Sequence, residues 1–242
     1  MFKKEGNFYL VISSLFIALG VAISGYFISE TLYKSKLALN TADVRGLAER
    51  RVEADTAYWS IQYTVAGKNK SDIPGLYKES EQDQEKIISL LKSSGFTEQE
   101  IIPGIIDYRK QEFRDENQKL VEEKYLLVGA IEVQTKKVRL VSKVRAKLNV
   151  LIAQGLNIQN NAPDYHFTRL NNIKPNMLKE ATMNARVAAN EFAKNAGVKV
   201  GGIRIARQGI FEIRDAGESY SDTRKIEKDV RVITNITFFL TD

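Results

Sequence analysis

The chain has 242 residues, 43% of them apolar, enough to bury one large core or two modest ones. It contains no cysteine, which excludes disulfides, thiolate catalysis and cysteine-ligated zinc or iron–sulfur centres. Its 36 basic and 30 acidic residues are interleaved, so the net charge of +6 reads as a solvated surface; no nucleic-acid partner is expected, because such a footprint needs clustered Lys and Arg.

Phe8 to Ile28 carries no charge over 21 positions, and as a helix it would span roughly 31 Å, about the thickness of a bilayer's hydrocarbon core. The run is longer than the apolar region of a secretory signal, and its best small-residue cleavage candidate, Ile23-Ser24-Gly25, lies inside it. The expectation is an uncleaved signal-anchor, with secretion after cleavage as the alternative. Lys3 and Lys4 precede the segment and Lys34 and Lys36 follow it, so the positive-inside bias is slight. The short amino-terminal tail suits an inside orientation. The organisation expected is a cytoplasmic tail over 1–7, a membrane span over 8–28, a stalk or helix continuation over 29–40, and an extracytoplasmic domain over 41–242.

Within that domain Asp43-Val44-Arg45-Gly46 opens a first strand, and Ala57, Trp59, Ile61, Tyr63 and Val65 continue it with the period of two of a half-buried strand, ended by Gly67. Ser71 as cap and Pro74 in the first turn start a helix whose buried face is Leu76, Ile87, Leu90 and Leu91. Two extended segments, about 101–113 and 121–135, are joined by the polar run Arg114-Asp115-Glu116-Asn117 as a hairpin. Val138, Val141, Val144, Leu148, Leu151 and Ile152 mark a second helix, and a strand follows over about 157–170.

A long alanine-rich helix comes next, with Pro175 in its first turn and Leu178, Ala181, Ala185, Ala188, Phe192 and Ala196 as its apolar stripe. Strands over 202–213 and 230–240 close the chain around a polar loop; the last has apolar residues on both faces, which suits a central strand or an oligomer contact. Gly95-Phe96, Gly155-Leu156 and Gly197-Val198 each read as a helix C-cap with its apolar contact. The pattern is that of an α+β fold with helices packed on a largely antiparallel sheet, preceded by one N-terminal transmembrane helix.

Signs of chemistry are sparse. His166 is the only histidine, which rules out a histidine metal cluster or a two-histidine relay within one chain. No G-x-S-x-G elbow is present, and the glycines at 197, 201, 202 and 209 have neither phosphate-loop spacing nor a helix after them. Glu122-Glu123 and Asp115-Glu116 lie in or beside the hairpin and read as solvated charge. No cofactor and no catalytic residue is assigned. His166, Arg207, Gln208 and Arg231 are candidates for an interface or ligand site, and Gln208-Gly209 is the part of its region that packing leaves unexplained.

The order of several soft motifs resembles the SIMPL-domain family of bacterial envelope proteins. They are Val44-Arg45-Gly46 leading into Ala54-Asp55-Thr56-Ala57, Leu90 to Phe96, Tyr165-His166-Phe167, Leu178 to Thr182 with Asn184-Ala185-Arg186 and Ala188-Ala189, Gln208-Gly209, and Val230-Arg231-Val232. The resemblance covers roughly residues 40–240. It implies an α+β domain outside the cytoplasm, ring-like homo-oligomers, and a link to envelope stress, including oxidative stress, and it carries no catalytic residues. The function expected is a membrane-anchored oligomerising or binding protein of the cell envelope, without catalysis, whose partners are its own copies, the bilayer and other envelope proteins. The alternative is an enzyme whose site is shared across subunit interfaces.

Overall fold

The computed structural model describes residues 5–37 and 40–241, with side chains over 12–32 and 40–241; Lys3, Lys4 and the stalk at 38–39 lie outside the described residues. In chain order the elements are α1 Glu5–Leu37, β1 Thr41–Glu53, β2 Thr56–Gly67, α2 Ile73–Ser93, β3 Ile101–Pro103, β4 Asp107–Arg114, β5 Leu120–Thr135, α3 Val138–Ala153, β6 Ile158–Asn160, β7 Asp164–His166, α4 Leu170–Ala196, β8 Lys199–Asp215 and β9 Glu227–Thr241. The fold is α+β, and the chain divides into two compact units. One comprises Met1–Ala48, Pro175–Phe211 and Val232–Asp242, the other Glu49–Lys174 and Glu212–Arg231.

In the first unit, Ile12–Leu32 of α1 is long and apolar enough to cross a membrane, and none of it is buried in the protein. Strands β1, β9 and β8 form a three-stranded sheet in that order, so β9 is its central strand. This accounts for apolar residues on both faces of β9. The core joins Val44, Ile236 and Phe238 of the sheet to Ala185 and Ala189 of α4.

The buried stripe of α4 is Met177, Ala181, Ala185, Ala189 and Ala193. It differs from the expected one: Phe192 is 65% exposed, and the even spacing of four advances the contact by about 40° per step around the helix. A stripe that winds in this way follows the twist of the sheet beneath it. The smallness of these side chains brings backbone to backbone. A Cβ placed on Gly46 would lie 1.8 Å from the Ala181 carbonyl oxygen and 2.7 Å from the Ala185 amide nitrogen. Gly209 is held by a similar constraint, since its Cβ would lie 2.5 Å from the Ile233 carbonyl oxygen. Packing therefore explains Gly209 after all, whereas Gln208 is exposed.

The second unit is built on a six-stranded sheet, β3-β5-β2-β6 with β4 also pairing β5 and β7 also pairing β2. Its spine is the antiparallel β2–β5 ladder, with Trp59 opposite Val133, Ile61 opposite Ile131 and Tyr63 opposite Gly129. These side chains form one buried cluster with Ile87 and Leu91 of α2 and Val141, Val144 and Leu148 of α3. Gly129 leaves room for the ring of Tyr63, whose Cζ would be 2.1 Å from an added Cβ. The β4–β5 hairpin pairs as its sequence indicates, with a bulge between Phe113 and Arg114. The Asp115 carboxylate closes its turn by accepting from the amides of Asn117 and Lys119.

Several boundaries differ from the sequence expectation, each for a local reason. Residues 41–67 are two strands in different sheets, separated at Ala54-Asp55. Residues 157–170 form two three-residue strands against β2, and α4 already begins at Leu170. Pro175 is thus inside α4 and not in its first turn, and it coincides with the division between the units. Ser71 does not cap α2; its hydroxyl bonds the Asp72 carboxylate, which also receives the Asn69 amide in a short 3-10 turn. The three glycine caps hold as expected, with φ of +109° at Gly95, +101° at Gly155 and +72° at Gly197. The next amides, of Phe96, Leu156 and Val198, reach back five residues to Leu91, Leu151 and Ala193, which is the Schellman pattern.

Candidate functional site

Each unit contains a cleft that gathers polar side chains. In the first unit, β1, β8 and β9 border about 640 Å3 lined by Asp43, Arg45, Arg204, Arg207, Asn235 and Thr237, with Ile205 beside them; the Ile236 side chain is buried on the opposite, α4 side of the sheet. Val44, Gly46 and Ala48 are buried. The alternation of a strand therefore places Asp43 and Arg45 on the opposite, open face of β1. Asp43 is the one carboxylate of this lining, and its Oδ1 accepts from the Thr237 hydroxyl. Arg45, Arg204 and Arg207 make no ion pair or side-chain hydrogen bond among the described residues. Arg204 and Arg207 are three positions apart on β8, so the same alternation sends their side chains to opposite faces, and no more than two of the three guanidinium groups share a face with the Asp43 carboxylate.

In the second unit, Ser142, Arg145, Asp164, Tyr165 and Arg224 line a cleft of about 650 Å3. The Ser142 and Tyr165 hydroxyls are 2.9 Å apart. Arg145 is committed to Asn160: its Nε donates to the Asn160 side-chain oxygen at 3.2 Å and its Nη2 to the Asn160 carbonyl at 3.3 Å. Neither hydroxyl is hydrogen-bonded to an imidazole or a carboxylate among the described residues, so Ser142 has no base to activate it there.

The strongly bound carboxylates of the second unit act as fasteners. Asp55 lies between β1 and β2 and receives the Thr168 amide and hydroxyl and the Arg169 amide and Nε, which holds the entry to α4. Burial pushes its carboxyl up, but these hydrogen bonds outweigh it and hold the group below its ordinary value. Asp215 and Lys228 are a fully buried ion pair at 2.5 Å. Asp215 also accepts from the Ser221 hydroxyl and the Arg224 and Lys225 amides, and Lys228 donates to the Asp222 carbonyl. The polar loop between β8 and β9 is folded around that one carboxylate. Burial again acts upward on Asp215, and the Lys228, Ser221 and amide bonds prevail, lowering it to about 2. Glu100 is likewise lowered to about 2, burial being outweighed by bonds from Thr135, Thr97 and Lys137.

The four residues singled out in the sequence fall in different surroundings. His166 is half-buried on β7, opposite Thr56 of β2 and edge-on to the Tyr58 ring at 5.4 Å. Arg207 lines the arginine cleft, and Gln208 is exposed beside it on β8. Arg231 lines a smaller cleft of the second unit with Glu49, Glu212 and Asp229. Of the four, only the adjacent Arg207 and Gln208 lie in the first unit; His166 and Arg231 belong to the second, and the clefts described here take Arg207 and Arg231 singly. Sequence reasoning missed Arg45. The alternation around Val44 carries a signal for Arg45, whereas nothing local ties it to Arg207, 162 positions away. No group of three or more His, Asp or Glu among the described residues is placed to hold a metal ion.

No curated protein sequence matches the chain. Among solved structures it is similar to the crystal structure of a hydrolase from Listeria innocua, at 10% identity over 80% of this chain and 91% of that one, with a TM-score of 0.21. A likeness at that level carries no argument about fold or activity. The SIMPL family profile, described as a protein of unknown function (DUF541), matches residues 42–232. That span takes in the whole second unit and the first apart from its ends, α1 and the last ten residues, and with it the Gly46 contact, the Asp55 fastener and the Asp215–Lys228 pair, so the chain belongs to the SIMPL family.

Proposed function

We propose that this protein is a membrane-anchored, extracytoplasmic component of the bacterial cell envelope that works by assembling with its own copies and by binding, without catalysis. α1 would be the anchor, and the role in envelope stress implied by the family resemblance belongs to the same reading. The observation that carries it is the uncovered strand β8. It ends the β1-β9-β8 sheet and runs for 17 residues. Residues Gly202–Gln208 are all exposed, including Ile203 at 47% and Ile205 at 42%. A long edge strand that presents free backbone groups and apolar side chains is a template for another strand. The other end of the same sheet, β1, supplies a second edge. Joining β8 of one copy to β1 of the next is a head-to-tail contact, which closes into a ring when the rotation allows.

The test is size-exclusion chromatography with light scattering on the full chain in a neutral detergent. The wild type is expected to be oligomeric. The variant I203K/I205K, which puts two charges on the edge, is expected to be monomeric with an unchanged circular dichroism spectrum. A monomeric wild type would overturn the reading.

A further inference from the structure

A further cleft, of about 420 Å3, opens on the face of the second unit's sheet that α2 and α3 do not cover. Trp59 and Ile61 pack with those helices, so the alternation of β2 sends Tyr58 and Ser60 to the opposite face. Cross-strand register brings four more side chains to them there. Gln134 of β5 and Asp164 of β7 lie on either side of Tyr58, Glu132 of β5 lies opposite Ser60, and Ile102 of β3 lies opposite Glu132. The contacts agree with this placement, since the Gln134 Nε2 donates to the Tyr58 hydroxyl at 3.3 Å and His166, two residues beyond Asp164, meets the Tyr58 ring. Tyr58 is 44% exposed and Ile102 48%.

No lysine or arginine lines this cleft, and neither the Glu132 nor the Asp164 carboxylate has an ion pair or hydrogen bond among the described residues, so an anion is repelled. The two carboxylates stand on either side of β2 and two positions apart, which separates their backbones by roughly 12 Å at the usual strand spacing and rise. Side chains this short do not close on one cation across such a gap, and no group of three or more His, Asp or Glu among the described residues is placed to hold a metal ion. The cleft offers instead an aromatic ring surrounded by a hydroxyl, a carboxamide and two carboxylates that only accept. His166 covers at most one face of that ring. A pyranose sugar matches the set: its C–H face stacks on the negative face of an aromatic ring, and its hydroxyls donate to carboxylates and exchange hydrogen bonds with hydroxyl and amide groups. A six-membered ring of bonds of about 1.5 Å is only about 3 Å across, so a run of linked sugars is needed to meet both carboxylates.

We propose that the Tyr58 face of the second unit's sheet binds an uncharged oligosaccharide, the class of ligand found in the glycan strands of a cell envelope, with Tyr58 as the stacking platform and Glu132 and Asp164 as acceptors on either side. This names a ligand for the binding part of the proposed function and rests on that reading for the domain's place outside the cytoplasm. It needs neither the anchor α1 nor pairing along β8.

The test is calorimetric titration of the full chain, in a polyoxyethylene detergent that carries no sugar, with chitotetraose, cellotetraose and maltotetraose up to millimolar concentration, the oligomer mass being followed by light scattering. Saturable binding of at least one tetraose is expected. Tyr58→Ala should weaken it about tenfold, the contribution of a good stacking contact. Glu132→Gln and Asp164→Asn should each weaken it about fivefold, the difference between a charged and a neutral acceptor. All three side chains are exposed, so the circular dichroism spectra should match the wild type. Binding of none of the three sugars, or an affinity that the three substitutions leave unchanged, would overturn the proposal. Equal affinity for N-acetylglucosamine and chitotetraose would overturn the extended ligand. Displacement of the sugar by spermidine, dependent on the same two carboxylates, would assign the cleft to an organic cation and overturn the saccharide. A variant that loses the sugar and falls to a smaller mass also counts against the proposal, because the face then joins copies of the chain. A monomeric wild type that still binds a tetraose supports the saccharide site while overturning the edge-strand reading alone.

Discussion

Gly46→Ala tests the closest contact in the first unit. The new methyl carbon would stand 1.8 Å from the Ala181 carbonyl oxygen, while ordinary contact begins at 3.4 Å, so β1 and α4 must separate by about 1.6 Å. A gap of that size forfeits half or more of the dispersion between facing atoms and loosens Val44, Ala185, Ala189, Ile236 and Phe238 together. The expected loss is about 3 kcal/mol, at the upper end for overpacking by one methyl group. Urea denaturation of the full chain in neutral detergent, followed by circular dichroism, should show a lower midpoint at an unchanged slope. Because the clash is with backbone, the double variant G46A/A181G should not recover the loss; a side-chain clash would be relieved by it. A Gly46→Ala protein within about 0.5 kcal/mol of wild type would refute the claim that helix and strand backbones touch here.

Ala185→Leu should destabilise by about 1–3 kcal/mol in the same assay, since Ala185 is fully buried against the sheet, and Phe192→Ala should change little because that ring is exposed. Asp215→Asn leaves the buried Lys228 without its counter-charge and should cost about 3–5 kcal/mol, with proteolytic cleavage of the 216–226 loop as a second readout. Asp215 and Glu100 titrate near 2 in the folded protein, below ordinary values of 3.8 and 4.5. Carboxyl groups held down in this way stabilise the fold above their unfolded-state values, and that contribution is lost as pH falls from about 4.5 towards 2, on the order of 2 kcal/mol for Asp215. Thermal midpoints measured across that window should drop more in the wild type than in an Asp215→Asn protein, and parallel curves would refute the assignment.

Local patterns in the sequence located most elements. The period of two in Ala57 to Val65, the glycine caps and the hairpin turn depend on neighbours within a few residues, and each is present. What failed to show depends on distant partners. The break at Ala54-Asp55 exists because Asp55 turns away to hold Thr168 and Arg169, over a hundred positions on. The stripe of α4 follows a twisted sheet, so helical spacing alone chose Phe192 where the structure buries Ala189 and Ala193. The candidate site was half legible for the same reason. Arg207 stood out in the sequence, but Arg45 comes to the same cleft only once β1 and β8 share a sheet.

The seating of α4 on β1 bears on how this protein can vary. Where side chains interlock, one change of shape can be offset by another, and a core drifts through compensating pairs. Here the surfaces that meet include main-chain atoms, which no substitution can trim. A comprehensive mutational scan should therefore find positions 46, 181 and 185 intolerant of every larger residue, with no second-site suppressors among their neighbours, while Trp59 and Ile131 in the other unit accept coordinated exchanges.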